Sequence, residues 1–264
     1  MTKKKKILIF GSTGKLGSEF VRQFKKLGYS LVLPKKNKCD VTKKADVSKI
    51  ITNKYDLVIN CTGISNIDFC QTNKQKAINL NILAPYYMAL ACLEHEIEFM
   101  HIGSTVDQEI TNIYAFTKKV SSEIPKSLDM KKYYVFKTDI LFGKTGQKHE
   151  NFVEYILSVL DKNKKIGVTN NRWSSPTYSK DLVKLCIEYY KKKKYGVYEA
   201  TNQGRVTRWE LANEIAKIVG KKPNFYIDNK YKDIAPRCRD SSSKSKLLRP
   251  YKKALKEYIH ESYF

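Results

Sequence analysis

Tyr114 and Lys118 are spaced for acid–base chemistry. Residues 114–118 read YAFTK, so the two side chains lie on the same face if this segment is helical. A phenol has a reference pKa of about 10 and exchanges protons poorly at neutral pH. A neighbouring ammonium stabilises the phenolate and lowers the pKa of the phenol. The pair therefore predicts proton exchange between Tyr114 and an oxygen of a substrate.

Two hydroxyl side chains, those of Ser104 and Thr105, follow a predicted strand at Glu98–Ile102. Doubly wound sheets bind ligands at the carboxyl ends of their strands, which is where these hydroxyls emerge. We expect a hydroxyl there to hold the carbonyl oxygen of a substrate. The chain contains 18 Tyr and many Lys, so YxxxK is informative here only because it follows these hydroxyls and a glycine-rich loop.

The glycine-rich loop at residues 11–17 reads GSTGKLG. It lies between a predicted strand, Ile7–Phe10, and a predicted helix that ends before Gly28. Glycines in this context allow a tight turn and a close approach of backbone N–H groups to a pyrophosphate at the positive end of the helix dipole. The loop predicts a dinucleotide site. Its predicted contacts are Gly11, Thr13, Gly14, Lys15, Leu16 and Gly17.

The end of the second predicted strand, at residues 30–33, indicates which dinucleotide binds. A typical NAD site has an acidic residue there, which accepts hydrogen bonds from the ribose hydroxyls. This chain has Pro34, Lys35 and Lys36 instead. Because a cation suits the 2′-phosphate of NADP, the sequence favours NADP(H) over NAD(H), with Lys35 as a contact.

Strands and helices alternate regularly around these motifs. Further strands are predicted at residues 57–60 and 133–137, and helices at 77–94 and 112–124. This alternation predicts an α/β fold with a Rossmann-type doubly wound parallel sheet.

The pattern changes after Gly143. Amphipathic helices are predicted at residues 151–160 and 209–219, with polar, less regular stretches between them. We therefore predict an NAD(P)-binding domain over residues 1–145 and a smaller α+β lobe, mainly for substrate binding, over residues 146–264. Whether one strand of the second part returns to the main sheet stays open.

Composition restricts the classes of function. The content of 42% hydrophobic and 29% charged residues is that of a folded globular protein. No segment approaches the roughly 20 apolar residues that span a bilayer, so we expect no membrane partner. The six cysteines lack metal-ligand spacing, which favours free thiols and a cytoplasmic location.

The formal charge of +24 resides mainly on Lys spread along the whole chain. Recognition of bases or phosphates by bidentate contacts favours Arg. We therefore expect no nucleic-acid partner, and a positive field that attracts an anionic substrate instead.

The amino half of the chain resembles the extended short-chain dehydrogenases/reductases. Besides the loop at residues 11–17, residues 39–42 (CDVT) resemble the family's short segment near the adenine. Residues 56–63 (DLVINCTG) resemble its fourth-strand turn, and Asn81 matches an Asn in the following helix.

The carboxyl half discriminates within that superfamily and most closely resembles the dTDP-4-dehydrorhamnose reductase family. The segments that match in order are Thr138–Gly143, Asn151–Phe152, Ser175–Tyr178, Asp181–Leu182, Gly196–Tyr198 and Trp209–Ala212, followed by an imperfect match at Ala235–Arg237. The resemblance covers nearly the entire chain.

This resemblance implies hydride transfer from a reduced nicotinamide to the C4 keto carbon of a nucleotide-linked 6-deoxysugar. Tyr114 would donate the proton, Lys118 would hold the nicotinamide ribose and tune Tyr114, and Thr105 would orient the carbonyl. The chemistry requires no metal. Homodimers are common in the superfamily, so a homodimer is an open possibility.

Further site residues are carried over from the family. Additional implied cofactor contacts are Asp40, Val41, Cys61, Thr62, Gly63 and Ile140. Implied substrate contacts are Ser104, Asn151, Arg172 and Arg237. Arg172 is expected either to bind a diphosphate in bidentate fashion or to pair with a surface carboxylate.

One departure from the family is the short segment between Thr105 and Tyr114, which has eight residues where the family has a longer loop that helps to form the sugar pocket. The identity of the sugar therefore stays open, as do two alternatives to a reductase. One is a nucleotide-sugar epimerase or dehydratase of the same superfamily, and the other is a non-catalytic regulatory subunit with this fold.

Overall fold

The computed structural model describes residues 4–144, 151–230 and 233–264. The strands are β1 (Lys6–Phe10), β2 (Ser30–Val32), β3 (Leu57–Asn60), β4 (Glu98–Ser104), β5 (Tyr133–Thr138), β6 (Leu141–Phe142), β7 (Ile166–Val168), β8 (Trp173–Ser174), β9 (Thr177–Tyr178), β10 (Gly196–Glu199), β11 (Val206–Thr207) and β12 (Phe225–Ile227). The α-helices are α1 (Lys15–Lys26), α2 (Lys44–Ile50), α3 (Ile67–Thr72), α4 (Lys74–Ile78), α5 (Ala84–Glu94), α6 (Ile113–Ser127), α7 (Phe152–Asp161), α8 (Ser179–Lys191), α9 (Arg208–Val219) and α10 (Tyr251–Ser262).

The main sheet has six strands in the order β10-β5-β4-β3-β1-β2, and every adjacent pair is parallel. This confirms the predicted doubly wound α/β fold. The direction of winding reverses between β1 and β3. In open parallel sheets, ligands bind in the crevice outside the carboxyl ends of the strands at this point.

Strand β1 illustrates how the sheet is buried. Its Ile7 and Ile9 pack with α1 and α8 on one face, whereas Leu8 and Phe10 pack with α2, α5 and α6 on the other. Successive side chains of a strand point to opposite faces, so helices on both faces bury an uninterrupted apolar run. The apolar sequence of β1 is the local reason for its central position.

A second apolar cluster joins α7, α9 and α10, with Phe142 and Tyr178 packed among them. Strand β10 lies in the same part of the sequence but pairs with β5, and α8 packs against α1. The carboxyl half thus contributes both to the main sheet and to the second cluster. No helix in the described ranges is long and apolar enough to cross a membrane.

Several predicted elements differ from the structure in their bounds or in detail. The predicted helix over residues 77–94 contains a π-helical turn, Asn79–Leu83. Pro85 has no N–H to donate to the carbonyl oxygen four residues earlier, which explains a wider turn there. Strand β4 continues to Ser104, and helix α9 begins at Arg208. The extended end of β4 and the earlier start of α9 place the polar side chains of Ser104 and Arg208 at the cavity described below.

Candidate active site

A cavity of about 690 Å³ lies at the carboxyl ends of the main strands and extends to the second cluster. The predicted site residues that line it are Gly14, Lys15, Leu16, Cys61, Thr62, Gly63, Ser104, Tyr114, Lys118, Ile140, Asn151, Arg172 and Arg237. The predicted residues outside its lining are Gly11, Thr13, Gly17, Lys35, Asp40, Val41 and Thr105. The structure therefore brings the predicted acid–base pair and most of the predicted binding residues to one place.

The phosphate loop has the close contacts that its glycines predict. A Cβ atom on Gly17 would lie 2.1 Å from the carbonyl oxygen of Gly11, and one on Gly11 would lie 2.7 Å from that of Cys61. Gly14 caps α1 without a side-chain hydrogen bond, and the first turn of α1 has no acidic residue. The first N–H groups of α1 are therefore available to an anion, and the loop fits the pyrophosphate of a dinucleotide.

The turn after β3 is held by two buried amides. The Oδ1 atom of Asn60 accepts hydrogen bonds from the N–H of Thr62 (2.9 Å) and from its hydroxyl (2.6 Å). The Oδ1 atom of Asn81 accepts from the N–H of Ile64 (2.8 Å), and its Nδ2 atom donates to the Ile64 carbonyl (3.1 Å). These bonds position the wall of the cavity formed by Cys61, Thr62 and Gly63. Asn81 was noted from the sequence only as a family match.

Lys35, Asp40 and Val41 follow β2, which is adjacent to β1 in the sheet. Lys35 is exposed, and its carbonyl oxygen accepts hydrogen bonds from the N–H groups of Lys38 and Cys39. The Oδ1 atom of Asp40 accepts a hydrogen bond from the N–H of Thr42 (3.1 Å). The segment is thus a structured turn beside the strand that leads into the phosphate loop.

Tyr114 lies in the first turn of α6. The Oδ1 atom of Asn112 caps this helix by accepting a hydrogen bond from the N–H of Ala115 (2.9 Å). Burial raises the pKa of Tyr114 to about 12, although a hydrogen bond with Ser104 acts in the opposite direction. We expected Lys118 to lower this pKa, and in this structure burial dominates instead. Tyr114 is therefore protonated at neutral pH.

Lys118 is buried, one helical turn after Tyr114. Its Nζ atom donates a hydrogen bond to the carbonyl oxygen of Ile102 (2.6 Å), at the end of the central strand β4. Burial lowers the pKa of Lys118 to about 8, and the charge of Asp107 opposes this shift. Asp107 in turn lies 2.8 Å from Lys137. Lys118 is thus a poorly hydrated cation beside the cavity.

The two hydroxyls after β4 have different surroundings. Ser104 lines the cavity beside Tyr114. Thr105 is completely buried outside the lining, and its Oγ1 atom has no hydrogen-bond partner in the described parts of the chain. Ser104 is therefore the hydroxyl that reaches the cavity beside the phenol in this structure, because β4 extends to residue 104 and directs this side chain there.

Two of the predicted substrate contacts already have protein partners. Arg172 pairs with Asp233, whereas Arg237 pairs with Asp68 (2.8 Å) and also lies 3.3 Å from Asp233. Of the two expectations for Arg172, a carboxylate partner is therefore found. The Oδ1 atom of Asn151 accepts hydrogen bonds from two N–H groups of α7, so this side chain caps a helix at the wall of the cavity.

Comparison with known proteins identifies the family. A family model described as RmlD substrate binding domain matches residues 5–263. The chain belongs to this family. The match spans both the main sheet and the second cluster, in agreement with a resemblance that covers nearly the entire sequence.

Several relatives of this family member cover most of its length. The spore coat polysaccharide biosynthesis protein SpsK of Bacillus subtilis is 25% identical, with 97% of each chain covered. A dTDP-4-dehydrorhamnose reductase of Mycolicibacterium smegmatis is 25% identical, over 83% of this chain and 70% of the relative.

Solved structures of the same fold include a dTDP-4-dehydrorhamnose reductase of Clostridium acetobutylicum. Its TM-score is 0.89 and its identity 25%, and 97% of this chain and 99% of that chain are covered. The Bacillus anthracis reductase, crystallised with NADP, has a TM-score of 0.90 and 20% identity, with 98% and 100% covered.

Two charged side chains that line the cavity, Asp139 and Arg208, were missed in the sequence. Asp139 follows β5, and its Oδ2 atom accepts hydrogen bonds from the N–H of Ser175 (2.7 Å) and the hydroxyl of Ser241 (3.0 Å). The guanidinium of Arg208 lies over the ring of Phe152, 4.5 Å from its centroid. Their positions at a strand end and a helix start are signals that were available in the sequence.

Proposed function

We propose that this chain is an NAD(P)H-dependent reductase of the keto group of a nucleotide-linked 4-keto-6-deoxysugar. The observation that carries the proposal is the proximity of Tyr114, Lys118 and Ser104 in a cavity that also contains the phosphate loop. A second strong support is the relatives of this family that are named as reductases of such sugars.

The reduced nicotinamide, when bound, supplies the hydride. Tyr114 donates a proton to the substrate oxygen, for which the protonated phenol is the required form. Its raised pKa keeps that proton in place at neutral pH until the oxygen becomes basic enough to accept it. Ser104 orients the oxygen through its hydroxyl, and the ammonium of Lys118 holds the nicotinamide ribose and stabilises the phenolate as the proton leaves.

NADP(H) is the preferred cofactor in this proposal. Lys35 and Lys36 are exposed on the turn after β2, where a typical NAD site has an acidic residue. A cation at this position suits the 2′-phosphate on the adenosine ribose of NADP. The NADP-bound reductase of similar fold gives a precedent for the architecture only.

The deciding experiment follows oxidation of NADPH and NADH by the purified protein with dTDP-, UDP- and GDP-linked 4-keto-6-deoxysugars. We expect turnover with one of these donors. Tyr114→Phe should lower kcat by about 10²–10⁴-fold and leave NADPH affinity unchanged. Tyr155→Phe, which removes a hydroxyl from an exposed tyrosine of α7, is the matched control and should keep full activity.

Three outcomes are decisive. Stoichiometric loss of NAD(P)H that depends on the Tyr114 hydroxyl establishes a reductase. Sugar conversion without net cofactor consumption identifies an epimerase or dehydratase, and cofactor binding without any conversion identifies a regulatory subunit. Either of the last two results refutes the proposed reductase.

A further inference from the structure

The cavity is lined by three arginines, of which two are paired with carboxylates. Arg172 pairs with Asp233, and Arg237 pairs with Asp68 and Asp233. Arg208 has no ion pair and no hydrogen bond to any residue in the ranges 4–144, 151–230 and 233–264. Arg208 is therefore the guanidinium whose five N–H donors remain available to a ligand.

The side chain of Arg208 is held in place without hydrogen bonds. Thr207 and Glu210 form a capping box that fixes the start of α9, where Arg208 is the first residue. Its Cζ atom lies 4.5 Å from the centroid of the Phe152 ring, which is a cation–π contact. Phe152 also lines the cavity. The charge is thus fixed at the cavity wall before a ligand arrives.

Burial lowers the pKa of Arg208 to about 10, and the charges of Arg172 and Arg237 act in the same direction, against Asp139. The group remains charged at neutral pH. A desolvated cation near two other cations is unfavourable unless an anion joins it. Of the three arginines that line the cavity, Arg208 is therefore the one without an ion pair in the described parts of the chain, and Asp139 acts on its charge at longer range.

The carboxylate of Asp139 acts on both Arg208 and Tyr114, the proposed proton donor. Asp139 lines the same cavity as both residues, and its charge raises the pKa of Tyr114 and opposes the lowering of the pKa of Arg208. Asp139 is also anchored by Ser175 and Ser241. In a pyranose, C1 and C4 are at opposite ends of the ring. A sugar with its C4 oxygen at Tyr114 therefore directs its C1 phosphate away from Tyr114, into another part of the cavity that Arg208 also lines.

We propose that Arg208 binds the diphosphate of the nucleotide sugar, the role first considered for Arg172. The inference rests on the proposed function for the orientation of the sugar. A guanidinium offers two parallel N–H donors to phosphate oxygens, a geometry that a lysine does not reproduce. Arg172 and Arg237, already neutralised by carboxylates, form the surrounding wall.

Calorimetric titration of the full chain with dTDP, UDP and GDP tests the proposal without any catalytic step. We expect Arg208→Gln to weaken the nucleoside diphosphate that binds most tightly by at least tenfold, and Arg208→Lys to recover only part of this loss. Arg172→Gln tests the competing assignment and should weaken binding less than Arg208→Gln does. Arg205→Gln, at an exposed arginine outside this cavity that pairs with Asp240, is the matched control and should leave the dissociation constant unchanged. Unchanged NADPH affinity in each variant shows that the fold is intact.

Asp139→Asn provides a change in the opposite direction. Removal of this carboxylate leaves the positive charge of Arg208 unopposed, so the same nucleoside diphosphate should bind as tightly as to the wild type or more tightly. A larger loss in Arg172→Gln than in Arg208→Gln overturns the proposal, as does wild-type affinity in Arg208→Gln or absence of binding by all three diphosphates. The proposed reductase fails separately if the protein shows no turnover. In that case the binding of the nucleoside diphosphate can still depend on Arg208.

Discussion

Replacement of Lys118 by methionine should stabilise the protein at neutral pH while it abolishes activity. Lys118 is 9% exposed, and burial lowers its pKa from 10.5 to about 8. The folded protein therefore pays a desolvation cost for a charge that the proposed reaction requires. Methionine has a similar length and packs in the same space without that charge.

The expected magnitude follows from the pKa shift. At about 1.4 kcal/mol per pKa unit, the protonated lysine destabilises the fold by about 3 kcal/mol. Loss of the hydrogen bond to the Ile102 carbonyl offsets about 1 kcal/mol of the gain. Lys118→Met should thus raise the free energy of unfolding by about 2 kcal/mol, equivalent to about 4–8 °C in Tm for a chain of this size.

The stability difference between Lys118→Met and the wild type should depend on pH. Below pH 8, Lys118 is protonated in both states, and the cost is fully present. Between pH 8 and 10.5 the folded state loses this proton while the unfolded state retains it, so the wild type becomes more stable relative to the variant. The advantage of Lys118→Met should therefore disappear over this interval.

Urea unfolding at pH 7 and pH 10, without cofactor, measures this difference, since a bound dinucleotide would stabilise the wild type. Lys119→Met is the control. The side chain of Lys119 is 44% exposed, its Nζ atom lies 3.6 Å from Glu123, and its replacement should change stability by less than about 1 kcal/mol. A variant less stable than the wild type at pH 7, or an equal gain at both pH values, would refute the reasoning.

The remaining predictions concern the cofactor site. Gly17→Ala should lower Tm by several degrees, because its Cβ atom would lie 2.1 Å from the carbonyl oxygen of Gly11. A Cβ atom on Gly14 would lie 3.5 Å from its nearest neighbour, so Gly14→Ala should retain the wild-type Tm and lose NADPH affinity. Thermal unfolding with and without NADPH checks both, and a wild-type Tm in Gly17→Ala contradicts the packing argument. Conversion of Lys35 and Lys36 to Glu should raise KM for NADPH about tenfold more than KM for NADH, in steady-state assays; equal changes refute the NADP preference.

Local sequence was sufficient for the strands of the amino half and the phosphate loop, whereas the pairing of β10 with β5 was left open. The apolar run Ile7–Phe10 and the glycines at residues 11–17 are contiguous, and their burial and turn geometry depend mainly on neighbouring residues. The spacing of Tyr114 and Lys118 was likewise readable because both belong to one helix, α6. A local pattern predicts these features since the helical or extended period itself determines which side chains share a face.

The protonation of that pair was decided by tertiary structure. A sequence shows that an ammonium and a phenol are one helical turn apart, but it does not show how much water the packed protein removes from them. Burial raises the pKa of Tyr114 and lowers that of Lys118, opposite to the expectation for Tyr114 from charge proximity alone.

The partners of the charged groups in the cavity also could not be predicted from the sequence, because they depend on the folded chain. Arg172 forms an ion pair with Asp233, 61 positions away in the sequence. Asp139 accepts a hydrogen bond from the hydroxyl of Ser241, 102 positions away. Such contacts depend on how the second cluster packs against the carboxyl ends of the strands, which no local period encodes. The sequence by itself therefore determined the fold class and the placement of Tyr114 and Lys118 on one helix. Tertiary packing decided that Ser104 rather than Thr105 lines the cavity, and which of its arginines has no carboxylate partner in the described ranges.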